Sequence, residues 1–302
     1  MKADSYTFDF HVHTHLSDGD ADQSPEVVMK AAAESGLSCL SITDHDVRPM
    51  PEEQRLALQK KHNITLVPGC EISSFYKGAP VHIGAHFLKP GDPYVEQIIA
   101  HNANQPHDVR LAKMIYKCQR IGVIPAYVRI DQVVEEIKAA NPESSLLAKR
   151  ALVHFLVSKG YVQDRDTAYS LLSHGGPAYV DPQEDLHFVP MEEAIKAVAR
   201  NSLPTHNHLF YSRLDHDETC RMLKASKESG TQALEIIYPR YLNDPHKMSL
   251  LYYFKNKFNL LTNCGSDRHD HSREFMQGLG IHYEHLLQCQ LELHGTTHVE
   301  LL

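Results

Sequence analysis

His11 and His13 stand one residue apart in the run Phe8-Asp9-Phe10-His11-Val12-His13-Thr14-His15-Leu16-Ser17-Asp18-Gly19. On an extended strand, residues i and i+2 point to one face, so both imidazoles reach the same point. With Asp18 close behind, this is a metal-ligand arrangement. Similar groups recur beside apolar, strand-like runs: Thr43-Asp44-His45-Asp46, Gly69-Cys70-Glu71, His82 with His86, His206 with His208, and Gly265-Ser266-Asp267-Arg268-His269. Asp267 and His269 repeat the one-residue spacing. One His-x-His pair is weak evidence, because such pairs are often satisfied surface or core residues. So many clusters at strand ends are hard to explain structurally. Buried carboxylates and imidazoles without partners cost on the order of several kcal/mol, and metal ions are their natural partner. The 22 histidines are the compositional outlier and point to metal chemistry or proton transfer.

The elements that must position these residues read as strand, helix, strand, helix. Strand-like runs are Tyr6–Val12, Leu37–Thr43, Ile64–Cys70, Val81–Leu88, Leu203–His206, Ala233–Tyr238 and Leu260–Cys264. The first helix, Pro25 to Ser35, is well marked, with Ser24 as N-cap, Pro25 at the first helical position and Gly36 as the stop. Further helices are expected at Glu52–Lys61, Met191–Arg200, Asp215–Ser229 and Pro245–Asn256. Strands alternating with helices imply parallel βα units and, at this count, a barrel. In such a barrel the functional residues collect at the C-terminal strand ends, where these clusters fall. The stretch from Pro93 to Val189 breaks the rhythm and reads as helical: Val95–Ile121, Asp131–Ala140, Ser145–Ser158 and Asp164–Ser173. The expected organisation is therefore a first barrel part (1–92), a helical insertion (93–189) and a second barrel part (190–302). The tail Glu284–Leu302 reads as a terminal helix or strand.

Taken as a set, Asp9 to Gly19, Thr43-Asp44-His45, Gly69-Cys70-Glu71-Ile72-Ser73, His82-Ile83-Gly84, a strand-terminal histidine and Gly265-Ser266-Asp267-Arg268-His269 resemble the PHP family of metal-dependent phosphoesterases. The resemblance covers Tyr6–Leu88 and Ala199–His269. It implies an α/β fold, a distorted (β/α)7-type barrel with the mid-chain helical insertion. The motif order and the insertion look most like the nucleoside 3′,5′-bisphosphate phosphatase branch. Carried over by motif, it implies nine ligands for three divalent ions, of manganese, iron or zinc. His11, His13, Glu71 and Asp267 would hold the first. Asp18, His45 and His269 would hold the second. His82 and His206 would hold the third, with Glu71 bridging. His206 is preferred to His208 because it falls at the strand end. Asp9, Asp44 and His208 would lie just behind the ligands. Asp9 and Asp44 would orient imidazoles or form structural salt bridges. His15 and His86 would hydrogen-bond nearby.

Three divalent ions against Asp18, Glu71 and Asp267 leave a site cationic by about three units, which attracts a phosphate dianion. Water held between two ions would be deprotonated near neutral pH and attack phosphorus in line, with no side-chain nucleophile. Substrate choice would come from the insertion. Where the family carries an R-P-H-x-A-R-like helix, this chain has Leu147-Ala148-Lys149-Arg150-Ala151-Leu152-Val153-His154-Phe155. Lys149 and His154 stand at the two arginine positions, with Arg150 beside them. A lysine is a point charge where arginine grips phosphate bidentately.

The expected partner is a small phosphorylated substrate, a nucleotide above all. The net charge of −8 disfavours long nucleic acid. No apolar run approaches membrane-spanning length, the N-terminus has no signal-peptide core, and the scattered cysteines suit a reducing cytoplasm. Rival readings are a histidinol-phosphate-type phosphatase, a short-oligonucleotide 5′–3′ exonuclease and, outside enzymes, a structural PHP module. The last predicts missing ligands and large neighbouring domains, and the chain shows neither.

Overall fold

A computed structural model of the protein describes residues 6–17, 23–141 and 149–295. In chain order the elements are β1 (Thr7–Val12), α1 (Pro25–Glu34), β2 (Cys39–Ile42), α2 (Glu52–His62), β3 (Thr65–Tyr76), β4 (Ala79–His86), α3 (Pro93–Ala103), α4 (His107–Arg120), α5 (Ile130–Ala140), α6 (Lys149–Ser158) and α7 (Arg165–Leu172). After them come α8 (Met191–Val198), β5 (Leu203–His206), α9 (His216–Ser229), β6 (Ala233–Ile237), α10 (Pro239–Leu242), α11 (Pro245–Lys257), β7 (Leu261–Cys264), β8 (Gly278–Leu279) and α12 (Gly280–His294).

The strands form one sheet in the order β7-β6-β5-β4-β3-β2-β1-β8. The segment after β7 returns to β1: the Asp267 N–H donates to His11 O at 2.7 Å and the His13 N–H to Arg268 O at 2.8 Å. The barrel is thus nearly closed. Two features depart from a run of parallel βα units. β3 and β4 form an antiparallel hairpin, and β4 pairs antiparallel with β5. The hairpin turns through Lys77 and Gly78, both at positive φ (46° and 88°), a conformation that matches the twist of the flanking strands. β8 adds a short antiparallel edge to β1.

The barrel has an apolar floor beneath a polar mouth. Phe10, Val67 and Ala233 pack with Phe87 and Leu203, and α12 joins this cluster through Tyr283 and Leu286. On their strands these residues precede His11, Glu71 and Glu235, which open at the C-terminal ends as the barrel rule requires. Around the outside, α1 sets Val28, Met29 and Ala32 against Leu40 and Leu66. Its start is fixed as the sequence indicates: the Val27 N–H donates to Ser24 Oγ at 3.3 Å, and Pro25 opens the helix.

The expected helix Val95–Ile121 is two helices, α3 and α4. Pro106 has no N–H to continue the ladder, and the chain turns there. α3 packs on the barrel through Val95, Ile98 and Ile99. By contrast, α4–α7 bury Leu111, Ile115, Val133, Ile137, Leu152 and Leu172 in a core of their own. Among the described residues no helix is long and apolar enough to cross a membrane. All six cysteines are free thiols.

Candidate metal centre

Glu71 is the hub of the mouth. It is fully buried at a point where β3 pairs with Gly84 of β4. Its Oε2 lies 3.0 Å from His11 Nε2, 3.3 Å from His13 Nε2 and 3.1 Å from His45 Nδ1. Its Oε1 lies 3.4 Å from His82 Nδ1 and 3.1 Å from His208 Nε2. Asp267, at φ +50°, brings Oδ1 within 3.4 Å of His13 Nε2 and 3.3 Å of His269 Nδ1. Eight side chains from six segments therefore meet: His11, His13, His45, Glu71, His82, His208, Asp267 and His269. They form overlapping triads, among them His13–His45–His269, His11–Glu71–His208, His11–His13–Asp267 and His45–Glu71–His82.

The hydrogen bonds leave bare lone pairs facing inward. His11 Nδ1–H donates to Glu235 Oε1 at 2.7 Å, so Nε2 carries no proton in the neutral ring. That bare nitrogen sits 3.1 Å from His13 Nε2 and 3.0 Å from a carboxylate oxygen. His269 donates Nδ1–H to Asp267 O at 2.8 Å, and its Nε2 is buried with no partner. Glu71 Oε2 and the Nδ1 atoms of His45 and His82 also lack hydrogen-bond partners. Lone pairs at this spacing repel unless a cation lies between them. Ligand atoms about 2.1 Å from a shared ion stand about 3.4 Å apart at the tetrahedral angle, so the spacing fits. The mixed imidazole and carboxylate donor set suits manganese, iron or zinc.

The electrostatics agree. Burial opposes ionisation of Glu71, yet His11, His45 and His82 outweigh it and hold the carboxyl well below its ordinary range. Asp267 is likewise held well below its ordinary value, with His13 and His11 overcoming burial. Burial also opposes charge on His11, but Glu71 and Glu235 raise its pKa well above the usual value. Both carboxylates are thus held ionised at the centre of the cage, the state that would attract a cation.

Three sequence expectations find a different place. His208, and not His206, enters the cage. β5 pairs antiparallel with β4 so that His206 faces Ile83, an outward residue of the apolar core. Side chains alternate along a strand, so His206 turns away from Glu71. Asn207 turns inward and donates to Glu71 Oε1 at 2.8 Å. His208, at φ +22°, then swings the chain back over the mouth. Secondly, Asp9 and Asp44 touch no ligand imidazole. Asp9 accepts the backbone N–H groups of His11, Ser266 and Met276, and Asp44 accepts Thr14 N–H at 2.6 Å. They fix the loops that carry the ligands. Thirdly, His154 is exposed and does not line the cleft. His86 meets its expectation: in the barrel interior, 5.2 Å from the Phe10 ring, its Nε2 lies 3.4 Å from Asn263 Nδ2. Asp18 lies outside the described residues.

Glu235 is the residue that sequence reasoning missed. It is fully buried in the middle of β6, and a lone carboxylate inside an apolar strand-like run was the available signal. Tyr238, from the same segment, donates its hydroxyl to Asp267 Oδ2 at 3.0 Å.

The cage opens into a cleft of about 590 Å³ between the barrel and α4–α7. Arg110, Lys149, Arg150, Arg165, Arg240 and Arg273 line it together with Phe75, Phe188 and Tyr211. Arg165 pairs with Asp270 at 3.0 Å and Arg273 with Asp267 at 3.2 Å. Arg110 has no carboxylate partner among the described residues. It donates to Val180 O at 3.2 Å, and its Nε is buried without a partner.

Comparison with known proteins agrees with this geometry. The model of the PHP domain matches residues 9–150. The chain carries a PHP domain. The match spans just under half of the chain. It is 26% identical over 197 residues to the phosphoribosyl 1,2-cyclic phosphate 1,2-diphosphodiesterase of Eggerthella lenta, covering 64% of this chain and 70% of that protein. It is 26% identical over 199 residues to the 5′-3′ exoribonuclease Rnm of Escherichia coli, covering 63% of this chain and 61% of that one. A solved structure described as a candidate metal-dependent phosphoesterase of Bifidobacterium adolescentis superposes with a TM-score of 0.76 at 21% identity, covering 94% of this chain and 96% of the other, which shows the shared fold.

Proposed function

We propose that this protein hydrolyses the phosphomonoester of a nucleotide or a similarly small organic phosphate. Carrying the proposal is the placement of an anionic cage for divalent ions at the base of a cation-lined cleft. His11, His13, His45, Glu71, His82, His208, Asp267 and His269 would hold the ions, with Asp18 as a further candidate from its motif. Ions held there would supply Lewis acidity toward phosphate oxygens and lower the pKa of water. The chain's residues do the rest. Glu71 and Asp267 gather the ions, and Asn207 and Tyr238 hold those carboxylates by hydrogen bonds. Lys149, Arg150 and Arg110 face the substrate across the cleft and neutralise its phosphate. Phe75, Phe188 and Tyr211 offer flat apolar surface for a base or a similar ring. Tyr211 lies 45% exposed and 5.1 Å from the His82 ring, so it borders both cage and solvent.

A second reading, release of nucleotides from a short oligonucleotide, is favoured by the way the cations continue past the cage through Arg165, Arg240 and Arg273. The E. coli relative bears an exoribonuclease name.

A phosphate- and nucleotide-release screen on metal-replete protein tests both readings. The panel holds nucleoside monophosphates, nucleoside 3′,5′-bisphosphates, short oligonucleotides, a ribosyl 1,2-cyclic phosphate and histidinol phosphate. Inorganic phosphate from the mononucleotides or bisphosphates supports the first reading, and mononucleotide release from the oligonucleotides supports the second. Preference for histidinol phosphate moves the assignment from nucleotides to that alternative phosphomonoester and overturns the second reading, and no turnover with ions bound overturns both.

A further inference from the structure

We propose that Glu235 is a positioning residue that locks His11 and His208 in place for the ion they share with Glu71. This rests on the metal-dependent reading above. Glu235 is itself absent from every candidate ligand triad. Both of its oxygens are engaged elsewhere. Oε1 accepts Nδ1–H of His11 at 2.7 Å, and Oε2 accepts the backbone N–H of His208 at 2.8 Å. One buried carboxylate thus grips a ligand from β1 and a ligand from the turn after β5. The first bond sets the tautomer of His11 and aims its bare Nε2 at Glu71. The second holds His208 at φ +22°, in backbone space that a residue with a Cβ rarely adopts.

Two further observations show that the local chain is built around this contact. A Cβ on Gly265 would lie 2.2 Å from Glu235 Oε1 and 2.3 Å from His11 Cβ, so only glycine leaves room for the pair. The β1–β2 register shifts between Asp9 and Val12, and the β6–β7 register shifts between Glu235 and Ile237. Such irregularities re-aim side chains, and these two flank His11 and adjoin Glu235. A merely structural acid in this position would need neither the cleared space nor a grip on two separate ligands.

Glu235→Gln tests the role. The amide keeps the volume but offers one acceptor and one donor, so either His11 Nδ1–H or the His208 N–H meets a donor. Zinc alone is the probe. The variant should fold, with a melting temperature lowered by no more than a few degrees, and bind the His11–Glu71–His208 ion ten- to a hundredfold more weakly, about the cost of losing such a supporting contact. At a fixed chelator concentration it should lose that ion and keep the one held by His13, His45 and His269. Long-range 1H–15N spectra of the unaltered zinc-loaded protein should show His11 protonated at Nδ1, and this decides the case if the variant does not fold. A wild-type zinc titration in the variant, loss of all ions from a folded variant, or an unprotonated His11 Nδ1 in the unaltered protein would overturn the proposal. Failure of the unaltered protein to take up zinc would instead overturn the metal-dependent reading beneath it.

Discussion

His206 and His208 are two residues apart, and the structure gives them opposite duties, which a pair of substitutions separates. His208 places Nε2 3.1 Å from Glu71 Oε1, with its ring 5.0 Å from His82 and 5.4 Å from His11. Removing it takes one donor from an ion. A protein site with four ligands binds zinc by about 10–16 kcal/mol, so one ligand carries about 3 kcal/mol. At about 1.4 kcal/mol per tenfold, His208→Ala should weaken that ion roughly a hundredfold. His206 is 1% exposed and its Nδ1 has no hydrogen-bond partner. Replacing a buried group that lacks its partner by an apolar one of similar size is close to neutral, so His206→Leu should shift stability by no more than about 1 kcal/mol. The assay is competition against a fluorescent chelator, with ion content per chain measured after dialysis and urea unfolding as the control for stability. A His206→Leu protein that folds but loses an ion, beside a His208→Ala protein that keeps it, would refute the assignment and restore the strand-end histidine.

Three more outcomes follow from the same geometry. Replacing Lys149 and Arg150 together by methionine should raise KM for the preferred phosphate at least tenfold while leaving ion content unchanged; equal loss of ions would remove them from the substrate wall. Burial holds His86 near about 3, against about 6.5 in an unfolded chain. Between those values the unfolded chain binds the extra proton, so this contribution to stability is present at neutral pH and is lost as pH falls. From pH 7.5 to pH 5 the ion-free wild type should lose about 2 kcal/mol more than His86→Leu, read by urea unfolding, and parallel pH curves for the two proteins would contradict it. Stripping the ions with a chelator should abolish turnover and lower the melting temperature by several degrees, because saturating ligand stabilises by about 4 kcal/mol at a thousandfold excess over Kd; an unchanged melting curve would argue against bound ions.

The strands were legible because each couples an apolar run to a polar end. Thr7–Val12, Leu203–His206 and Leu261–Cys264 fall within a residue of their expected limits. The hairpin was not, because Ile72-Ser73-Ser74-Phe75-Tyr76 lacks a clean alternation and its turn, Lys77-Gly78, is an unusual pair for two positive φ angles. Pro106 was a visible breaker inside a helical pattern, and its missing N–H ended α3 as the rules for proline require. At the centre, the identities of His11, His13, His45, Glu71, His82, Asp267 and His269 could be picked out because their spacing placed them at strand ends. His206 and His208 share strand parity, so the choice between them depended on the pairing of His206 with Ile83 and on the positive φ at His208, which no local pattern names. Glu235 sat inside an apolar run, and only its three-dimensional neighbours reveal what it does.

The helices α4–α7 keep their apolar residues in a core separate from the barrel and meet the mouth through a few charged side chains. On the proposed function, that arrangement would uncouple selectivity from reactivity, so that drift in the insertion exchanged one phosphorylated compound for another while the ion-holding residues stayed intact. Grafting the corresponding helices of a relative onto this barrel is accordingly a direct route to retargeted enzymes.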